Sequence, residues 1–306
     1  MQKIINSLYI KLLSIRVRER GERIVLSIAI LSYLIHLLLI LCCKLGWLNI
    51  ESGFFTNPIF AIYTPFSFIL VYEVYLLIFY LPKSITIYIG KQYEIITLIV
   101  IRRIFKDISK LELSKDWFYN KYDLQFTYDV VTSLILFLLI FLFYKHSPSQ
   151  KTHFSTDVSK LKNEIKYFII LKRGIALLLL PILICMGLFT LTTWSYDFMT
   201  SLQSFDTLFA NINSVFFDDF FSVLIIVDVL LLLASFFYSD QFHKIIRNSG
   251  FVISTVLLKL SFSNVGLVNN TLIIGAVSFG LAILLVHNLF EKELLRNDKD
   301  LSNSAK

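Results

Sequence analysis

Cysteine is scarce in this chain. Cys42, Cys43 and Cys185 are the whole supply, and no two stand at a CxxC spacing. That spacing excludes a disulfide framework and a thiolate zinc site. Charge is scarce too: Asp, Glu, Lys and Arg make up 17% of 306 residues, less than a soluble domain keeps on its surface. Only 10 glycines and 5 prolines are present, and no P-loop, HExxH, GxGxxG or nucleophile elbow occurs. No catalytic residue, metal site or cofactor is therefore expected, and the chain reads as a protein that is not an enzyme. The first apolar segment lacks a small-residue cleavage site, and LILC lacks the small residues of a lipoprotein signal, so this segment is expected to stay as a helix.

What remains is mostly apolar. Hydrophobic residues reach 56%, mean hydropathy is +0.71, and there are 29 Phe and 15 Tyr. This composition describes an all-α, polytopic helical membrane protein. Segments long enough to span lie near 24–43, 59–82, 84–103, 124–144, 174–195, 218–238, 246–262 and 266–290, about eight in all. The third and seventh are the weakest, because Lys91, Glu94 and Lys259 fall inside them. The net charge of +7 lies between apolar spans rather than in one basic patch, so nucleic acid is not an expected partner; the lipid bilayer is. With eight crossings and the N-terminus inside, inner segments hold 21 Lys and Arg and outer ones 8. The asymmetry puts both termini in the cytoplasm, with a bacterial inner membrane as the expected location.

The chain divides at its one long polar stretch. The expected organisation is a basic amphipathic N-terminus (1–23), a four-helix unit (24–144), a basic linker (145–173), a second four-helix unit (174–290) and a polar tail (291–306). Three landmarks repeat in order. Arg20-Gly21 matches Arg173-Gly174, Glu73 matches Asp228, and IGKQYEIITLIVIRRIF from Ile89 aligns without gaps to IRNSGFVISTVLLKLSF from Ile246. Units of four helices enter the membrane the same way, so the duplication predicts two parallel repeats about an axis along the membrane normal. Residues 102–123 carry six Lys and Arg on the outer side. Their apolar residues fall on one face, which predicts an interfacial amphipathic helix.

Ionisable residues inside a membrane are costly and usually pair or line a pathway. A rise of about 1.5 Å per residue puts Glu73 about 13 Å, Lys91 about 11 Å, Glu94 about 15 Å and His36 about 18 Å from the inner boundary. These four form one expected layer, a candidate proton or cation path, or alternatively an ion-paired lock of Lys91 with Glu73 or Glu94. Arg102 lies too far along its helix to reach Glu73, so Arg102 and Arg103 are assigned to Asp129 near the outer boundary. Asp228 and Lys259 are the counterparts in the second repeat.

LVYEVYLLIFYLP followed by IGKQYEIITLIV resembles the second-to-third helix passage of the voltage-sensor domain of cation channels, with Glu73 and Glu94 at its acidic positions. The resemblance covers about 40 residues and implies a four-helix membrane unit whose acids face cations. That family carries arginines at every third position of its fourth helix, and TYDVVTSLILFLLIFLFY has none. The functional expectation is proton- or cation-coupled transport, or ion conduction, through the layer of the first unit. The alternative is a non-catalytic membrane scaffold or a subunit of a larger complex, with membrane-protein partners or a second copy of the chain.

Overall fold

The computed structural model describes residues 2–47, 55, 58–108, 111, 120–147, 163–200, 205–237, 241–264 and 266–304. The described residues form helices and turns, with no strand among them. The order is α1 (Gln2–Leu12), α2 (Ile15–Lys44), a 3-10 turn (Pro58–Ile62), α3 (Tyr63–Tyr80), α4 (Ile85–Ile108), α5 (Lys121–His146), α6 (Asn163–Thr200), α7 (Phe205–Phe236), α8 (Phe242–Phe262) and α9 (Leu267–Ser304).

Local chemistry sets several of these boundaries. Between α1 and α2 the backbone extends at Ser14, whose hydroxyl accepts the Val17 amide at 3.4 Å and caps α2. Helix α2 ends in a Schellman turn: Gly46 takes φ +76°, its amide bonds Cys43, and the Trp47 amide reaches back to Cys42. A side chain at Gly46 would strain that left-handed position. Pro65 stands in the first turn of α3, where a missing amide hydrogen costs nothing. Asn120 caps α5 by accepting the Tyr122 amide at 3.0 Å.

Consecutive helices pack along α2–α3–α4–α5 and again along α6–α7–α8–α9, and the two runs meet α5 on α9, α4 on α8 and α3 on α6. One core joins both runs. It includes Leu70, Val74, Tyr93, Ile96 and Phe143 from the first, and Leu224, Phe251 and Val277 from the second. Helix α4 runs through its middle, with Tyr88, Gln92, Tyr93, Ile95, Ile96 and Val100 all buried. The outward faces of α2 and α5 present Ile30, Leu34, Leu38, Leu134, Phe137 and Phe141, as lipid contact requires.

Small residues let the helices approach closely. The Cβ of an alanine at Gly280 would fall on the Tyr93 hydroxyl, and one at Gly250 would meet Ile283 at 2.7 Å. Such spacing is the usual basis of helix association in lipid, where no hydrophobic drive exists between helices.

Six helical stretches are long and apolar enough to cross a membrane: 2–44, 122–146, 166–190, 219–236, 242–262 and 267–294. The chain is an integral, multi-pass helical membrane protein. The seventh expected segment is among the six despite Lys259. The second is apolar but shorter, Thr64–Tyr80, because the 3-10 turn takes up residues 58–62. The third falls outside the six, since α4 carries Lys91, Glu94 and Arg102 within one membrane-length window. The first part of the expected interfacial helix at 102–123 is instead the end of α4, which continues to Ile108. Its arginines stay in the bundle because an acid on α5 awaits one of them. Residues 109–110 and 112–119 of that segment lie outside the described residues.

Candidate functional site

The structure distributes the expected midplane layer over two levels. Lys91 Nζ donates to Glu94 Oε2 at 2.6 Å, and the Tyr144 hydroxyl of α5 donates to Glu94 Oε1. The Lys91 ammonium also lies 5.4 Å from the Tyr80 ring. Of the two locks the sequence allows, this is the Glu94–Lys91 one, with Glu73 half-buried beside it. His36 is elsewhere. Buried at 4% exposure, its Nδ1 lies 2.6 Å from Thr64 Oγ1, at the far end of α3 from Tyr80. Glu73 is nine residues further along that helix, about 13 Å away. The displacement follows from the start of α2: it begins at Ile15, not near residue 24, so the Tyr72 hydroxyl meets the Arg18 carbonyl at 3.2 Å. Glu73 is thus level with the first turns of α2, and His36 stands well above it.

Arg103 and Asp129 form a two-pronged ion pair, with Nε and Nη2 each reaching a carboxylate oxygen. Asp129 is fully buried and also accepts from Gln125 at 2.8 Å and from Asn270 at 2.7 Å. Arg103 continues to Asn269 Oδ1 at 2.9 Å and to Asn270 Oδ1 at 2.5 Å. The cluster ties α4, α5 and α9 together. Arg102 is buried as its neighbour. The adjacent pair Asn269-Asn270 carries no charge to mark it, although two amides opening an apolar span are themselves a signal.

Asp228 has the company that sequence spacing denied it. Gln92 Nε2 donates to it at 3.0 Å, and Gln92 Oε1 accepts from Thr255 at 2.9 Å. Tyr88 of α4 and Lys172 of α6 face the same carboxylate. Lys259 stands four residues beyond Thr255 on α8, about 6 Å further along the axis. One turn along α4, the Tyr93 hydroxyl lies 2.8 Å from Ser254 Oγ, which donates to the Ala276 carbonyl at 2.7 Å. Tyr93 is therefore the donor in that pair.

Asp228 opens onto a cavity of about 700 Å³. It lies where the two runs of helices meet, between the Leu81–Ile85 turn, the start of α4, and α6, α7 and α8, with Tyr9, Ile10 and Leu13 closing it from α1. Its described lining contains four bases, Lys83, Lys172, Arg173 and Arg247, and one acid, Asp228. Neutral groups contact each base. Lys83 Nζ sits 4.3 Å from the Phe79 ring centre and 4.7 Å from that of Tyr80. Lys172 donates to the Lys83 carbonyl at 3.1 Å. Arg173 lies 4.9 Å over Tyr9 and donates to Asn6 at 2.8 Å. Arg247 donates to Asn248 and meets His287 Nε2 at 3.0 Å, and His287 stacks on His243.

This constellation makes the cavity electropositive, so it attracts anions and repels cations. In the sequence these bases read as inner-side flanks, with Arg173 also a repeat landmark. Seven helices and a turn contribute to the cavity, and none of their local patterns marks a site. No protein-family model, curated protein or solved structure matches the chain.

Proposed function

We propose that this membrane protein binds an anionic ligand in the junction cavity and performs no chemistry on it. The observation that carries the reading is the lining itself, four bases to one acid around about 700 Å³, a volume in the range of about 300–1,000 Å³ for sites that enclose small molecules. The halves are two parallel four-helix repeats. Their matching internal paths, and their contact of third helix on third and fourth on fourth, support that duplication. Both termini lie in the cytoplasm, which puts the cavity at the inner end of the bundle. Binding of this kind suits a carrier of anions or a subunit that recruits them to a larger complex.

The test is thermal stability of the purified chain in neutral detergent with inorganic phosphate, oleate or phosphatidic acid. At least one anion is expected to raise the apparent Tm, and the double variant Lys172→Met/Arg247→Gln is expected to lose the rise. If every anion affects wild type and variant alike, the reading fails.

A second reading keeps proton- or cation-coupled transport in the first unit. It is favoured by Glu73 standing beside the Lys91–Glu94–Tyr144 chain, while His36 is too distant to join. Proton flux into proteoliposomes that disappears in both Glu73→Gln and Glu94→Gln would establish that second reading.

A further inference from the structure

We infer that the ligand of the junction cavity is the phosphate-bearing headgroup of an anionic membrane phospholipid, bound from the leaflet on the α1 side. The inference rests on the anion-binding reading above and narrows it to one chemical class.

The charge arrangement fits a phosphoryl group. Two guanidinium forks and two ammonium groups line one cavity, and forks of this kind match phosphate oxygens in pairs. Lys172 is buried, with its ammonium fixed on a carbonyl, so part of its charge is already desolvated before a ligand arrives. Asp228 is occupied at the inner wall by Gln92, Tyr88 and Lys172. The phosphoryl group therefore sits towards Lys83, Arg173 and Arg247.

The size and the wall exclude a bare ion. Inorganic phosphate fills a small part of about 700 Å³, and the remainder is faced by Leu13, Ile85, Ile89, Phe168, Leu231 and Val252. Those groups call for a ligand with an apolar body joined to its charge. A free phosphate shares the headgroup chemistry but leaves this wall uncovered.

Depth supplies the third argument. Helix α1 packs on α6 through Asn6 and Tyr9 and turns Ile4, Leu8 and Leu12 outward. An amphipathic helix with such a face lies at the boundary between headgroups and acyl chains. The cavity beneath it is thus at headgroup level, where basic pockets between membrane helices hold anionic lipids.

Native mass spectrometry of the full chain, titrated in neutral detergent with phosphatidic acid, phosphatidylcholine or inorganic phosphate, tests this. Phosphatidic acid is expected to bind one to one and at least about tenfold more tightly than phosphatidylcholine. Arg173→Gln/Arg247→Gln should weaken it about thirtyfold, as two lost basic contacts imply. Lys83→Gln, in a turn rather than a packed helix, should weaken it several-fold and guards against a variant that fails to fold. If inorganic phosphate binds as well as phosphatidic acid, the lipid inference falls and the anion-binding reading stands. If the two lipids bind equally, charge does not select the ligand and the inference falls. If nothing binds and oleate also leaves the Tm unchanged, both fall.

Discussion

Gly280→Ala is the sharpest test of the packing between the two helical runs. A methyl group there would fall on the Tyr93 hydroxyl, 2.9 Å from Tyr93 Cζ and 3.2 Å from Ser254 Oγ. All three atoms are buried, and the Tyr93 ring is wedged edge-on against Phe143 at 5.2 Å, so it has little freedom to withdraw. Overpacking of this kind costs about 1–3 kcal/mol, partly offset by the roughly 1 kcal/mol that alanine gains over glycine in a helix. A net loss of about 0–2 kcal/mol is expected, which is about 1–3 kcal/mol relative to an unclashed glycine-to-alanine change on the same helix. Gly275 on the same helix has nothing within 4 Å of its added Cβ, so Gly275→Ala keeps the helix gain without the clash and should be neutral or stabilising. Tyr93→Phe removes the offending oxygen and its bond to Ser254, at about 0.5–1.5 kcal/mol. In that background the cost of Gly280→Ala should shrink, a coupling of about 1 kcal/mol between residues in contact. The measurement is unfolding of the purified protein in bicelles by graded addition of SDS. If Gly280→Ala behaves like Gly275→Ala, or shows no coupling to Tyr93→Phe, the close approach of α4 and α9 is refuted.

Asp129→Ala should cost about 3–5 kcal/mol, because it leaves Arg103 facing two asparagines without its carboxylate; Asp129→Ala/Arg103→Met should recover part of the loss in the same assay. Gln92→Leu should destabilise by about 1–3 kcal/mol by stripping Asp228 and Thr255 of a shared partner, and Gln92→Glu should be worse, since it sets a second carboxylate against Asp228. Burial, and secondarily Arg18, pushes the Lys83 ammonium down to about 8. Lys83 is thus charged at pH 7 and largely neutral by pH 9, so phosphatidic acid affinity should fall across that interval. Lys83→Arg, which stays charged, should flatten the profile.

Lipid-facing residues were legible in the sequence because nothing else permits such long apolar runs. Each of the eight segments read from hydropathy overlaps a helix, and six helical stretches among the described residues are long and apolar enough to cross a membrane. The helix ends were not legible: α6 starts at Asn163 and α9 runs to Ser304, since polar turns beyond the membrane carry no apolar signal. The Arg103–Asp129 pair could be anticipated because an acid and a base at matching depth in a membrane have few other partners, and Lys91–Glu94 because residues three apart share a helix face. Asp228 could not. Its partners come from α4 and α6, 136 residues away in the case of Gln92, and no one-dimensional spacing encodes that. His36 was misplaced for a related reason, since an early start of α2 through charged residues shifts every depth measured along it.

The burial of α4 has a consequence for how the chain is made. Lys91 and Glu94 near its middle cost about 5–7 kcal/mol to insert at the bilayer centre, while each aliphatic residue returns about 0.3–0.6 kcal/mol. A lone α4 leaving the insertion machinery therefore has little reason to enter lipid. Tyr144, which bonds Glu94, is synthesised fifty residues later, and Asn269 and Asn270, which complete the Arg103 cluster, more than 160 residues later. Helix α4 must wait, sheltered by its neighbours or by a chaperone, until the second half emerges. A ribosome halted before α9 would leave the centre of this protein unassembled, which makes the late helices the licence for the early one to stay in the membrane.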